Sequence, residues 1–432
     1  MDTKPARPLI PAALLALCLA VAAVGVAWPA WDMFTAKRRP MLQGVDDSFY
    51  YFWLPSVVID RDLDFTNQLE RCETVTAAAR DQAFAQPRTP TGLLPNKYPP
   101  GWALGSLPFF LAAHVGAPAD ATGFEPRYLV AVWLGQLLYA AAGLWCAVRI
   151  AARFFPPRTA AIAVLGVWLA SPLVYYQSAR LSMSHSQVFA LAAAATWLAL
   201  RIADGDDRRR TWGLLGLCGA LLVVTRNVAL VYLAWPAWIV VRRLRSVRTA
   251  AWFVPGAAGP AAVQLAAWKR LYGSWLVYSY GEERFDFARW HTAEVLFSPR
   301  HGWFYWHPLL LVALAAFAVW AVRRPVGRAG LVSLAAIVAL NSVWPAWWLG
   351  SSFGNRGFEA ATLFAMIGGA VLWQSTDAHP RRRVALAALA SAAIAWNLML
   401  LALFLTRRIS RDEAVTHAGM LQAFGSWIAG GR

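Results

Sequence analysis

Two carboxylates stand side by side at Asp46 and Asp47, within Gly-Val-Asp-Asp-Ser-Phe-Tyr-Tyr, shortly after a long apolar run. Adjacent carboxylates can act as a general base, bind a cation, or sit at the positive end of a helix. The plainer reading is a cap, with Asp47 closing the start of a helix near Ser48. The residues alone leave both open. Tyr50 and Tyr51 follow as aromatics suited to a membrane interface. A second group is Asn96-Lys97-Tyr98-Pro99-Pro100-Gly101. Proline fixes φ, so the Pro-Pro turn holds Lys97 stiffly enough to meet an anion; a lipid-headgroup contact accounts for the same residues.

Further cations are spread along the chain. Arg226 lies in a tight hairpin, Arg300 and His301 precede an apolar run, and Arg356 ends a Trp-rich stretch that starts at Trp347. A phosphate clamp requires several such groups to converge, whereas any one alone reads as a headgroup contact. His185, in Ser184-His185-Ser186, reads as a packed, hydrogen-bonded ring or as a proton-transfer group. Asp60, Asp62 and Asp64 alternate as in a turn, and nothing follows them at the spacing of a calcium loop. No metal site is expected. Asp46 with Asp47 is a candidate for a divalent cation, but no full ligand set is visible. Cys18, Cys146 and Cys218 fall in apolar segments and Cys72 in a polar one, with no CxxC and no disulfide framework. P-loop and GxGxxG patterns are absent, which argues against ATPase and dinucleotide chemistry.

These residues need a membrane to position them. Hydrophobic residues make up 59% of the 432 and charged residues 15%, too little polar surface for a water-soluble chain of this length. The apolar residues gather in runs of about 20, enough to cross roughly 30 Å of hydrocarbon. They do not alternate as barrel strands would. The expected fold is all-α: a polytopic bundle of about eleven spans in one membrane domain, 1–432. Spans are expected at about 9–31, 127–148, 159–178, 185–202, 211–225, 228–241, 249–270, 304–322, 329–348, 358–374 and 384–406. The first is an uncleaved helix, because its apolar run exceeds a signal h-region of about 7–15 residues.

The net charge of +17 sets topology rather than binding nucleic acid. Six short connectors (1–8, 149–158, 201–210, 242–248, 323–328 and 380–383) hold 19 of the 40 lysines and arginines, beside helix ends. That is the positive-inside pattern, not a continuous basic face, so no nucleic-acid partner is expected. The N-terminus is then cytoplasmic. A long first loop, 32–99, carries nine of the 23 acids and lies outside with its short helices. The segment 100–118 is expected to lie in the interface or to re-enter, since a crossing there would invert the later connectors. The tail, 407–432, is external.

In this order the motifs resemble the GT-C glycosyltransferases, nearest the protein O-mannosyltransferase and aminoarabinose-transferase group. Asp46-Asp47-Ser48-Phe49-Tyr50 is similar to that family's Asp-Glu-x-x-Tyr, with Asp in place of Glu at 47. Lys97-Tyr98-Pro99-Pro100 is similar to its Lys-Pro-Pro, with Tyr98 inserted. The Thr225-Arg226 hairpin and the Trp-rich segment ending Gly-Ser-Ser-Phe-Gly-Asn-Arg also look familiar. The resemblance implies a sugar donor carried on a polyprenyl phosphate, the lipid bilayer, and a glycan, lipid or protein acceptor of the cell envelope. It implies transfer with inversion on the periplasmic side of the inner membrane, with Asp46 as base and Asp47 as its support or as a cation ligand. Lys97, with Arg226 or Arg356, would receive the phosphate charge. Two rivals are a flippase or transporter of lipid-linked sugars and a non-catalytic envelope assembly protein. A transporter requires ionisable residues facing a cavity at mid-membrane, and the charges here cluster at the ends of the expected helices.

Overall fold

A computed structural model of the chain describes Leu42 and residues 44–430 apart from 74, 243, 245 and 246. The first expected span, 9–31, lies outside the described residues. Within them the elements are α-helices joined by one π turn, Ser56–Asp60, and two 3-10 segments, Asn227–Leu233 and Arg356–Phe358, with no strand. The all-helical expectation holds.

Proline opens several of the helices, where its missing N–H costs nothing: Pro157–Leu169, Pro308–Val322, Pro325–Ser342 and Pro380–Leu405. Proline also divides an expected span. The segment 159–178 becomes Pro157–Leu169 and a short Leu173–Tyr176 helix, because Pro172 has no N–H to continue the ladder. The carbonyls freed there need a donor. Asn397 supplies it, its Nδ2 donating to Leu169 at 2.7 Å and to Ser171 at 3.0 Å. Other expected spans are also divided. Asn227–Leu233 is 3-10 before Ala234–Val241, and Val247–Ala250 stands apart from Phe253–Tyr272. Four described helices are long and apolar enough to cross a membrane: Pro126–Ala151, His185–Ala203, Pro325–Ser342 and Pro380–Leu405. Pro157–Leu169, Asn227–Val241, Pro308–Val322 and Thr362–Ser375 are apolar but shorter. The Gly101–His114 helix has 14 residues, about 21 Å, less than the roughly 30 Å of a hydrocarbon core.

The chain divides into two compact units. Among the described residues, one comprises those of 42–143 and 176–284; the other comprises 144–175 and 285–430. In the first, the Arg209–Thr225 helix packs against His185–Ala203, Phe253–Tyr272 and Gly101–His114. Its crossing with Phe253–Tyr272 is made by glycines. A Cβ on Gly216 would overlap the Phe253 carbonyl, and one on Gly256 would overlap the backbone of Gly213. Small residues let helix backbones approach where lipid leaves no hydrophobic force to drive them together. In the second unit, Pro308–Val322 packs on Thr362–Ser375, which packs on Pro157–Leu169. Phe317 stacks with Phe364 at 5.1 Å, and Trp303 with Phe358 at 4.0 Å.

Large apolar side chains also point outward. Val384 is 70% exposed and Leu389 67% on the Pro380–Leu405 helix. A helix apolar on its inner and outer faces belongs in lipid, and the protein is membrane-embedded.

Gly256→Leu should abolish the close crossing, lowering stability by about 1–3 kcal/mol or more. Gly166, whose Cβ would meet open space, is the control position. Melting of the detergent-purified variants by intrinsic fluorescence checks this: Gly256→Leu should melt several degrees lower and Gly166→Leu close to the parent.

Candidate active site

Asp46 and Asp47 lie in the first turn of the Val45–Pro55 helix, entered through Gly44 in an extended conformation. Consecutive helical residues point about 100° apart, so the two carboxylates meet different surroundings. Asp47 is fully buried. Its Oδ2 accepts from Arg180 Nε at 3.2 Å and from Ser182 Oγ at 2.8 Å. The capping reading of Asp47 is therefore wrong. The helix starts earlier than Ser48, its N-cap is Gly44, and the carboxylate forms an ion pair instead.

Asp46 is half-buried, and its Oδ1 accepts a hydrogen bond from the Tyr98 hydroxyl at 2.5 Å. Burial, and then the adjacent Asp46 charge, pushes the Tyr98 hydroxyl well above the usual tyrosine range. Tyr98 thus remains a donor wherever the protein is folded. Its backbone is fastened on both sides. The Tyr98 N–H donates to Asn96 Oδ1 at 3.0 Å, and its carbonyl accepts from Trp53 Nε1 at 3.1 Å. Asn96 Nδ2 donates to the Phe49 carbonyl at 3.0 Å. Trp53 and Phe49 belong to the helix that bears Asp46, so the Asn-Lys-Tyr segment and the carboxylate are held in one frame.

Lys97 therefore comes to the same place. Its ammonium lies 5.5 Å from the ring centroids of both Tyr98 and Tyr280 and is ion-paired with Glu283. Tyr50 packs its ring 4.7 Å from Tyr98, and its hydroxyl accepts from Ser184 Oγ at 3.3 Å. The interface reading of Tyr50 fails, because it is buried among site residues. Arg226 follows the last turn of the Arg209–Thr225 helix in an extended conformation. It donates to His185 Nδ1 at 3.4 Å, which requires the imidazole proton on Nε2. His185 is buried with its ring 4.3 Å from Tyr176, so its visible part is to orient Arg226. Burial raises Tyr280 above the usual range; Tyr50, Asp46 and Glu283 add to the rise and Arg226 opposes it. All these charges share one electrostatic neighbourhood.

Gln187 joins the two elements that deliver the cations. Its Nε2 donates to the Gly101 carbonyl and to Thr225 Oγ1, both at 2.9 Å. A Cβ on Gly101 would overlap the backbone at Val224 and Thr225, so the helix after the Pro-Pro turn can sit directly on the residue before Arg226.

Arg300, His301 and Arg356 belong to the other unit. Arg300 Nε donates to the Asp412 carbonyl at 2.7 Å, and its guanidinium lies 4.1 Å from the Trp348 ring centroid. His301 is buried with φ of 62°, and its Nδ1 hydrogen-bonds the Trp348 carbonyl at 2.9 Å. Burial pushes its imidazole below the usual range. Arg356 opens the 3-10 turn Arg356–Phe358. Asp60, Asp62 and Asp64 form a turn: Ser56 Oγ donates to Asp62 at 2.9 Å, and Arg71 pairs with Asp60 at 3.3 Å.

Among the described residues, no three His, Cys, Asp or Glu gather as a metal site. Of the acidic pair, the Asp47 charge is already compensated by Arg180. The sequence reading passed over Arg180, Ser182, Tyr280 and Glu283. For the first two the signal was Ser-Ala-Arg-Leu-Ser-Met-Ser-His, a polar run set between apolar segments.

Breaking a buried ion pair from one side leaves a bare charge, and Arg180→Leu should destabilise the protein by about 3–5 kcal/mol. Asp47→Asn combined with Arg180→Leu should recover most of that loss. Thermal melts of the three proteins decide it. An Arg180→Leu protein that melts like the parent would show that the pair does not hold the helix.

The fold resembles that of ArnT from Cupriavidus metallidurans in its apo crystal structure, with a TM-score of 0.51 and 15% identity over 95% of this chain and 75% of that one. The apo oligosaccharyltransferase of Archaeoglobus fulgidus aligns with a TM-score of 0.48 and 13% identity, over 96% of this chain and 55% of that one. No family profile and no curated protein sequence matches the chain. The chain has the GT-C-like all-helical membrane fold that its motifs led one to expect.

Proposed function

We propose that the protein is a glycosyltransferase that moves a sugar from a polyprenyl-phosphate carrier to a hydroxyl of an envelope acceptor, with inversion at the anomeric carbon. The observation that carries this reading is a half-buried carboxylate, Asp46, held by a protonated Tyr98 in the electrostatic neighbourhood of two cations, Lys97 and Arg226. The fold shared with ArnT supports it. The charge pattern of the connectors supports an active site outside the cytoplasm, with the first loop and the tail on that side and the protein in the inner membrane.

In the proposed reaction Asp46 takes the proton of the acceptor hydroxyl as its oxygen bonds to the anomeric carbon. The bond from that carbon to the phosphate oxygen breaks, and its electron pair leaves with the lipid phosphate. The phosphate gains charge as it departs, so cations fixed beside it stabilise the transition state more than the ground state. Lys97 and Arg226 are assigned that part, with Arg226 favoured over Arg356 because its charge acts on Tyr280, which also feels the Asp46 charge. Tyr98 aims the carboxylate. Asp47 supports it indirectly, by holding the helix through Arg180.

Transfer of a radiolabelled sugar from a polyprenyl-phosphate donor by purified protein in proteoliposomes tests this. Asp46→Asn should lower kcat about 10²- to 10⁴-fold, the usual contribution of a general base. Asp46→Glu should retain more activity than Asp46→Asn. Undiminished transfer by an Asp46→Asn protein that melts normally removes Asp46 from the mechanism, and translocation without transfer would favour the flippase.

A further inference from the structure

The ion pair between Lys97 and Glu283 is unusual in its setting. Lys97 is the cation assigned to a phosphate, yet a carboxylate already sits on it. The side chains are 33% and 50% exposed, so solvent reaches the pair and screens it. The backbone beneath Glu283 is well fastened: its N–H donates to the Tyr280 carbonyl at 3.1 Å, and its carbonyl accepts from the Tyr278 hydroxyl at 2.5 Å. Ser279 Oγ in turn donates to the Lys97 carbonyl at 2.8 Å, so this loop and the lysine are held at a set distance. The side chain alone is left to move, and a rotamer change would lift the carboxylate away without disturbing the loop.

We propose that Glu283 holds the place of the donor phosphate: its carboxylate neutralises Lys97 until a phosphate oxygen of the lipid carrier replaces it. The inference rests on the transferase reading above and adds a residue outside the motifs. Around the site Asp46 and Glu283 are negative and Lys97 and Arg226 positive, a balanced set. A sugar-phosphate diester carries one negative charge, so exchanging it for the Glu283 carboxylate keeps the balance. A weak, screened pair is given up for charge-assisted bonds to phosphate oxygens in a drier setting. The exchange also explains how an ammonium packed between two tyrosine rings stays compensated before the donor arrives. Glu283 is thus a positioning residue that tunes donor affinity.

Binding of polyprenyl phosphate to the purified full chain in detergent, followed by native mass spectrometry or fluorescence quenching, tests the proposal without needing catalysis. Glu283→Gln should tighten binding roughly fivefold, the scale of a screened surface pair, and Glu283→Ala should act in the same direction. Lys97→Gln should weaken binding about tenfold or more, and adding Glu283→Gln to it should change nothing further, because the carboxylate acts through the lysine. Unchanged or weaker binding by both Glu283 variants, with the parent still binding, overturns this inference and leaves the transferase reading intact. Failure of the parent to bind polyprenyl phosphate at all overturns both. In turnover assays the two Glu283 variants should lower KM for the donor with kcat little altered; a fall in kcat at constant KM counts against the exchange.

Discussion

A carboxylate withdrawn from solvent must be compensated, and the arrangement of the candidate site follows from how Asp47 meets that demand. Arg180 and Ser182 compensate it from a connector far away in sequence, and in doing so fix the first turn of the Val45–Pro55 helix in rotation as well as position. Asp46, one residue earlier, is then turned toward Tyr98. Of the two adjacent acids, one is committed to holding the helix and the other is left half-buried against the Tyr98 hydroxyl. Adjacent carboxylates with separate environments have separate roles.

The second constraint is the satisfaction of backbone groups in a stiff segment. Asn96, Lys97 and Tyr98 precede two prolines that donate no hydrogen bonds, so their partners come from side chains. Trp53 and the Asn96 amide tie the segment to the acidic helix, and Tyr272 donates to the Asn96 carbonyl at 3.0 Å from another element. Gln187 then sets the following helix against the residue before Arg226. Beside the Asp47–Arg180 pair, neutral hydrogen bonds that carry no charge of their own thus fasten the backbone segments bearing Asp46, Lys97 and Arg226.

Charge balance connects the site with its proposed chemistry. A cation left bare between aromatic rings is costly, and a cation paired too well cannot bind an anionic donor. A half-exposed glutamate lies between these limits, since its attraction is screened and its side chain has room to leave. The buried Asp47–Arg180 pair is the contrasting case, with side-chain exposures of 0% and 12%, and it serves as structure. Burial separates the two kinds of ion pair within a single unit.

Composition and run length alone determined the all-helical membrane class, because each lipid-spanning segment must close its own backbone hydrogen bonds and be apolar along its length. They located most helices to within a few residues, while the motifs and the resemblance they carry marked Asp46, Lys97 and Arg226 among the candidates. The break at Pro172 lay in the string too, but a propensity reading joins such pieces unless the donor that relieves the break, Asn397, is known. Only the tertiary structure decided which acid is buried. It also decided that Tyr98, the residue interrupting the Lys-Pro-Pro pattern, is the one that touches Asp46, and that Lys97 faces Glu283. Those facts depend on groups separated by as many as 186 positions, and no local pattern of residue types encodes which distant partner a charge will meet.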